Sequence, residues 1–176
     1  MRLASLEARA LAVAGNADGA AVALANAERA RDEIRGPDEM PGIFSFPTAK
    51  QLTYAGTTHL AIGGAGHVRQ AIDCAEAAVG LYRGAPADDR STFDLVAAHL
   101  DLARGYMLAG DMDATEALLA AVLGSGPEQL SASILTRLEA LAGELGAAQY
   151  RGSSRIAHLR ERITSAATPV PLPAAE

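Results

Sequence analysis

Three short turns recur along this chain at almost equal distances. Residues 14–20 read AGNADGA, residues 62–68 read IGGAGHV and residues 109–115 read AGDMDAT. Gly63 lies 48 positions after Gly15, and Gly110 lies 47 after Gly63. A near-constant period of this length marks one unit of supersecondary structure used repeatedly, as in a solenoid of helical hairpins. Composition says what the unit is made of. Hydrophobic residues make up 49 % of the 176 residues but aromatics only 4 %, so much of the apolar content is alanine, which favours helix and lets helices approach closely. Breaks at Gly, Pro and polar clusters predict helices at roughly 2–14, 17–35, 47–62, 66–83, 91–109, 111–124, 127–147 and 153–166. The expected fold class is all-α, a stack of about four hairpins. Each turn glycine is expected to close a first helix with positive φ.

The positions around the turns resemble the tetratricopeptide (TPR) repeat, in which a small residue follows the turn glycine at +5, a large one at +9 and another small one at +12. From Gly15 these are Ala20, Leu24 and Ala27; from Gly63, Val68, Ile72 and Ala75; from Gly110, Thr115, Leu119 and Val122. The preceding helices carry Leu102-Ala103-Arg104-Gly105-Tyr106 and Ala55-Gly56-Thr57-Thr58-His59, which resemble the family's Leu-Gly-x-x-Tyr pattern. Small residues let the two helices of a hairpin close up, and the large residue fills the groove between hairpins. An ordinary TPR has a period of about 34 residues, so the extra length here falls in the connections at 36–46 and 84–90 and in long second helices. The resemblance implies a TPR-like α-solenoid over residues 1–166; the three prolines of TPVPLPAAE lead to the expectation of a disordered tail over 167–176.

A narrower resemblance covers Phe44 to Ile163. The runs FSFPTAKQLTYAGTTHL, GLYRGAPADDRSTFDLVAAHLDLARGYMLAGDMDAT and AAQYRGSSRIAHLRERI are similar to the C-terminal TPR-like region of actinobacterial XRE-type helix-turn-helix transcriptional regulators. In that family a DNA-binding domain precedes the repeats, and none is found in this sequence. The resemblance implies a non-catalytic effector-sensing or protein-binding module, either the regulatory part of such a regulator or a stand-alone relative.

Two of the three phenylalanines lie in PGIFSFPTAKQ (41–51), directly before the chain's only lysine. Pro47 suits the start of a helix and Pro41-Gly42 a tight turn. Phe44 and Phe46, two apart in an extended segment, face the same side and can plug the seam between the first two hairpins. A structural staple and a ligand-contacting lid are both open readings of this loop.

Other chemistry finds little support. A formal charge of −6 disfavours binding to phosphate backbones, so no direct nucleic-acid binding by this chain is expected. His59, His67, His99 and His158 lack metal-ligand spacing, and neither a metal nor a cofactor is expected. His59 and His99 read as packing histidines, and the single Cys74 as a small core residue. No hydrolase, Walker or dinucleotide motif is present. The absence of a signal-type apolar run and of a membrane-length apolar window leads to the expectation of a cytoplasmic protein with no membrane partner.

In a TPR hairpin the first helix lines the concave face at repeat positions 2, 5, 9, 12 and 13. In register with the turn glycines, these are Arg2, Ser5, Arg9, Ala12 and Val13, then Lys50, Thr53, Thr57, Leu60 and Ala61, then Ala97, Leu100, Arg104, Met107 and Leu108. The set contains four cations and no carboxylate. The expected groove is formed by Arg9, Lys50, Thr53, Thr57, Leu60, Arg104 and Met107, and it suits a peptide carboxylate or a small acidic effector. Two other classes stay open. One is a homodimeric scaffold using the stripes Ile134, Leu138, Leu141, Leu145 and Ile156, Leu159, Ile163, which could equally pack on each other and cap the array. The other is an enzyme on a helical-repeat scaffold, for which Tyr54, Tyr106, His59 and His99 would be the available acid-base groups.

Overall fold

The first helix stops where Ala14 hands the chain to Gly15. In the computed structural model, which describes residues 1–34, 45–86, 91–126 and 129–167, α1 (Arg2–Val13) closes with Gly15 at φ 78°. The Gly15 N–H bonds Ala12 O at 3.0 Å and the Asn16 N–H bonds Leu11 O at 2.9 Å, the paired bonds of a Schellman motif. Asn16 then opens α2 (Ala17–Asp32), its Oδ1 accepting from the Gly19 N–H at 2.9 Å. One residue therefore finishes one helix and starts the next.

The second turn solves the same problem differently. Between α3 (Thr48–Ile62) and α4 (Ala65–Gly84) stand two consecutive positive-φ glycines, Gly63 at 78° and Gly64 at 84°, and no side chain caps α4. The third turn returns to the first design. α5 (Thr92–Ala109) ends on Gly110 at φ 86°, ψ 4°, with Asp111 N–H on Tyr106 O at 2.9 Å; Asp111 Oδ1 then accepts from the Ala114 N–H at 3.0 Å to open α6 (Met112–Leu123). The described residues finish with α7 (Ala132–Glu144), a 3-10 turn at Ala148–Tyr150 and α8 (Ser154–Ala167). All three expected turn glycines have positive φ. The seventh helix is shorter than expected, starting at Ala132 and stopping at Glu144. Pro47 stands at the N-cap of α3 with φ −63°, where its missing N–H leaves nothing unbonded. The proline-rich segment from 168 onward and Phe44 lie outside the described residues.

The described residues contain eight α-helices and no strand, so the all-helical class is observed. Helices adjacent in sequence pack as pairs, α1 with α2, α3 with α4, α5 with α6 and α7 with α8. Across the pairs α1 packs on α3, α3 on α5 and α5 on α7, while α4 also packs on α5 and α6 on α8.

The small positions after the turns are buried, as are the large ones Leu24 and Leu119, while Ile72 is half-buried. Ala20, Ala27, Ala75 and Thr115 are essentially inaccessible, and so is Leu119. Gly105 on α5 shows why size matters: a Cβ there would lie 2.8 Å from Ile72 Cγ1 of α4. The branched side chain of one hairpin thus fills the notch left by glycine on the next. Three cores result. Ala8, Ala23 and Leu24 join α1 to α2; Ala49, Ala78, Val79, Tyr82 and Ala98 join α3, α4 and α5. The largest runs from Val96 and Met107 through Leu119 to Ile134, Leu138, Leu141, Leu145, Ile156, Leu159 and Ile163. Both C-terminal apolar stripes pack within this core.

Candidate functional site

The odd-numbered helices leave a groove of about 300 Å³ lined by Arg9 and Val13 of α1, Thr57 and Ala61 of α3, Leu100, Asp101 and Arg104 of α5, and Arg137, Ala140, Leu141 and Glu144 of α7. Of the seven expected groove residues, Arg9, Thr57 and Arg104 line this cleft. The other four stand elsewhere. Lys50 Nζ pairs with Asp94 Oδ2 at 3.4 Å, tying the first turn of α3 to that of α5. Thr53 is buried and returns its hydroxyl to Ala49 O at 2.9 Å. Met107 is 2 % exposed inside the C-terminal core, and Leu60, 3 % exposed, faces a separate cleft beside Gly63 and Ile72.

Two carboxylates enter the groove that the sequence register did not include. Asp101 is 3 % exposed, yet both its oxygens are engaged. Thr57 Oγ1 donates to Oδ2 at 2.7 Å, and the Arg137 guanidinium pairs with Oδ1. The result is a polar brace across α3, α5 and α7. It satisfies a charge that would otherwise be costly to bury. Arg104 meets Glu144 in a fork, Nε to Oε2 at 3.0 Å and Nη2 to Oε1 at 2.7 Å. Such two-pronged pairing fixes both side chains in orientation.

Arg9 is different. Its Cζ lies 4.6 Å from the centroid of the Tyr54 ring, a cation–π arrangement that holds the guanidinium without cancelling its charge. Tyr54 in turn meets Phe46 edge-on, with ring centroids 5.3 Å apart and planes at 79°. Phe46 is 2 % exposed, and its carbonyl accepts from Arg31 of α2. Phe46 therefore acts as a staple between the first two hairpins, and through Tyr54 it supports the wall on which Arg9 rests.

His59 and His99 pack against neighbouring side chains, whereas His158 is exposed. His99 is buried and accepts from Arg83 Nη2 through Nε2 at 3.1 Å; burial, and then the Arg83 charge, hold it below the ordinary imidazole range. His59 stacks on His67, with Nδ1 atoms 3.0 Å apart, and burial together with His67 lowers its pKa. Among the described residues no group of three or more metal-ligating side chains is found, and no helix is long and apolar enough to cross a membrane.

Asp101 could have been found from the sequence. It lies three positions before Arg104 and four after Ala97, so it shares their helical face. Arg137 and Glu144, seven apart on one face of α7, had no such signal, since the fourth hairpin carries no turn glycine at the period of the other three. No known protein family, curated protein or solved structure matches this chain significantly.

Proposed function

We propose that this chain is a non-catalytic ligand-binding module, a TPR-like array of hairpins whose groove receives a carboxylate-bearing peptide segment or small acidic effector. The observation that carries this reading is the convergence of Arg9, Arg104 and Arg137 from three helices on one cleft that holds, among the described residues, two carboxylates, Asp101 and Glu144. The surplus positive charge belongs to Arg9, presented on Tyr54. A ligand carboxylate bound there gains a charge-assisted hydrogen bond. A second acidic group would have to displace Glu144 from the Arg104 fork, a pair about one-third exposed.

The resemblance of residues 44–163 to the repeat region of XRE-type regulators supports a sensory role within, or related to, a transcriptional regulator. Titration of fluorescent peptides with free or amidated C-termini tests the groove. Free-acid peptides should bind more tightly than their amides, and Arg9→Ala should weaken them about tenfold, the equivalent of one charge-assisted bond, with the melting temperature unchanged. Equal affinity of acid and amide, together with undiminished binding in Arg9→Ala and Arg104→Ala, would reject the proposal.

A further inference from the structure

A second cavity, separate from the groove, lies where α1, α2, α3 and α4 meet, and it encloses about 210 Å³. Its body is apolar, formed by Leu24, Ala27, Leu52 and Ala55. Ser5 lines it from α1. That residue is 1 % exposed, and its Oγ has no hydrogen-bond partner among the described residues. Helical hydroxyls ordinarily return to the carbonyl four residues earlier, as those of Thr53, Thr58 and Thr115 do here; Ser5 does not. A buried hydroxyl left in this way is unfavourable unless something pairs with it.

His59 also lines the cavity, its Nδ1 3.0 Å from that of His67. Gln51 Oε1 accepts from Arg31 Nε at 2.7 Å, and the Arg31 guanidinium also reaches Phe46 O. The open side is framed by Glu28, Asp32 and Thr48, all exposed. An apolar cavity of about 150 Å³ is enough to take up benzene, so this one has room for a substituted ring.

We infer that this cavity is a binding site for an uncharged, ring-sized organic molecule carrying one hydroxyl or amide group, with the Ser5 hydroxyl as its polar anchor. The site rests on the packing of the first two hairpins and does not depend on the groove. Cys74, the only cysteine of the chain, also lines the cavity and provides a reporter. Burial, followed by the nearby Asp73 and Glu28 charges, pushes its thiol up to about 11, so it labels slowly and its labelling depends on access.

The test uses phenol and benzene as probes on the full chain, by calorimetric titration and by the rate at which Cys74 reacts with a small thiol reagent. Phenol is expected to bind and to slow the labelling. Ser5→Ala should weaken phenol about tenfold, as loss of one buried hydrogen bond implies, while benzene binding is retained. Ala55→Val, which intrudes on the cavity, should weaken both probes; Arg9→Ala should change neither. No titration of either probe, as expected of a cavity that holds only water, overturns the inference. So does phenol binding that leaves Cys74 labelling unchanged, a result obtained on the unaltered chain and independent of how any variant folds. An equal loss of phenol and benzene in Ser5→Ala, with helicity intact, overturns the role of the hydroxyl.

Discussion

Asp101 is the residue on which the groove turns, because it is a buried carboxylate in the middle of the run Leu100-Asp101-Leu102. Two partners make its burial tolerable, and both come from other helices: Thr57 from α3 and Arg137 from α7. Removing the positive partner should therefore do more harm than its own contacts suggest. Arg137→Ala is expected to lower stability by about 3 kcal/mol, the lower end for breaking a buried pair, since Arg137 itself keeps some exposure. Adding Asp101→Asn should recover part of the loss, because the amide oxygen still accepts from Thr57 but no charge is left unpaired. Urea denaturation of the single and double variants measures the coupling; strictly additive effects would show that the brace is not one unit. This residue was within reach of sequence reasoning through its spacing from Arg104, whereas the pairing with Arg137 was not, since nothing local to α5 indicates which face of α7 it meets.

At the scale of the helix and its turn, glycines that look alike in sequence are placed differently. Gly110 is left-handed, with φ 86° and ψ 4°, a conformation that asparagine also adopts. Gly63, with φ 78° and ψ 179°, occupies a region essentially restricted to glycine. Gly110→Asn should consequently be mild, and Gly63→Asn should destabilise by about 1–3 kcal/mol. Thermal melts of the two variants check this, and equal shifts would contradict the distinction. The turns were legible in the sequence because glycine and a following Asn or Asp carry their conformational meaning with them. The helix limits followed from the same punctuation. The departures came where the deciding forces are not local: α7 ends early at Glu144, followed by a separate 3-10 turn, and Thr53, Leu60 and Met107 are turned into helix seams by neighbours that a register alone does not show.

Across the whole molecule the packing is uneven. Among the described residues, the core uniting α5 to α8 contains fourteen buried apolar side chains, most of them Leu, Ile, Val or Met; that of α1 and α2 contains Ala8, Ala23 and Leu24. Buried area sets most of the stabilisation. Native-state hydrogen exchange should accordingly show α1 and α2 opening at lower free energy than α5 and α7; uniform protection would contradict the gradient. The turn design has a consequence of another kind, for the ways in which such a chain can change length over time. Because Asn16 and Asp111 each complete one helix and begin the next, an inserted residue at either turn breaks two sets of end bonds together. Between α2 and α3 the caps are two residues, Glu33 and Pro47, and between α4 and α5 they are Ala85 and Ser91, so neither pair of helix ends shares a cap. Lengthening between separate caps leaves both sets of end bonds in place and adds a slowly growing entropy of loop closure. Insertions and deletions among descendants of this sequence should collect in those two intervals, and the tight turns should keep their length.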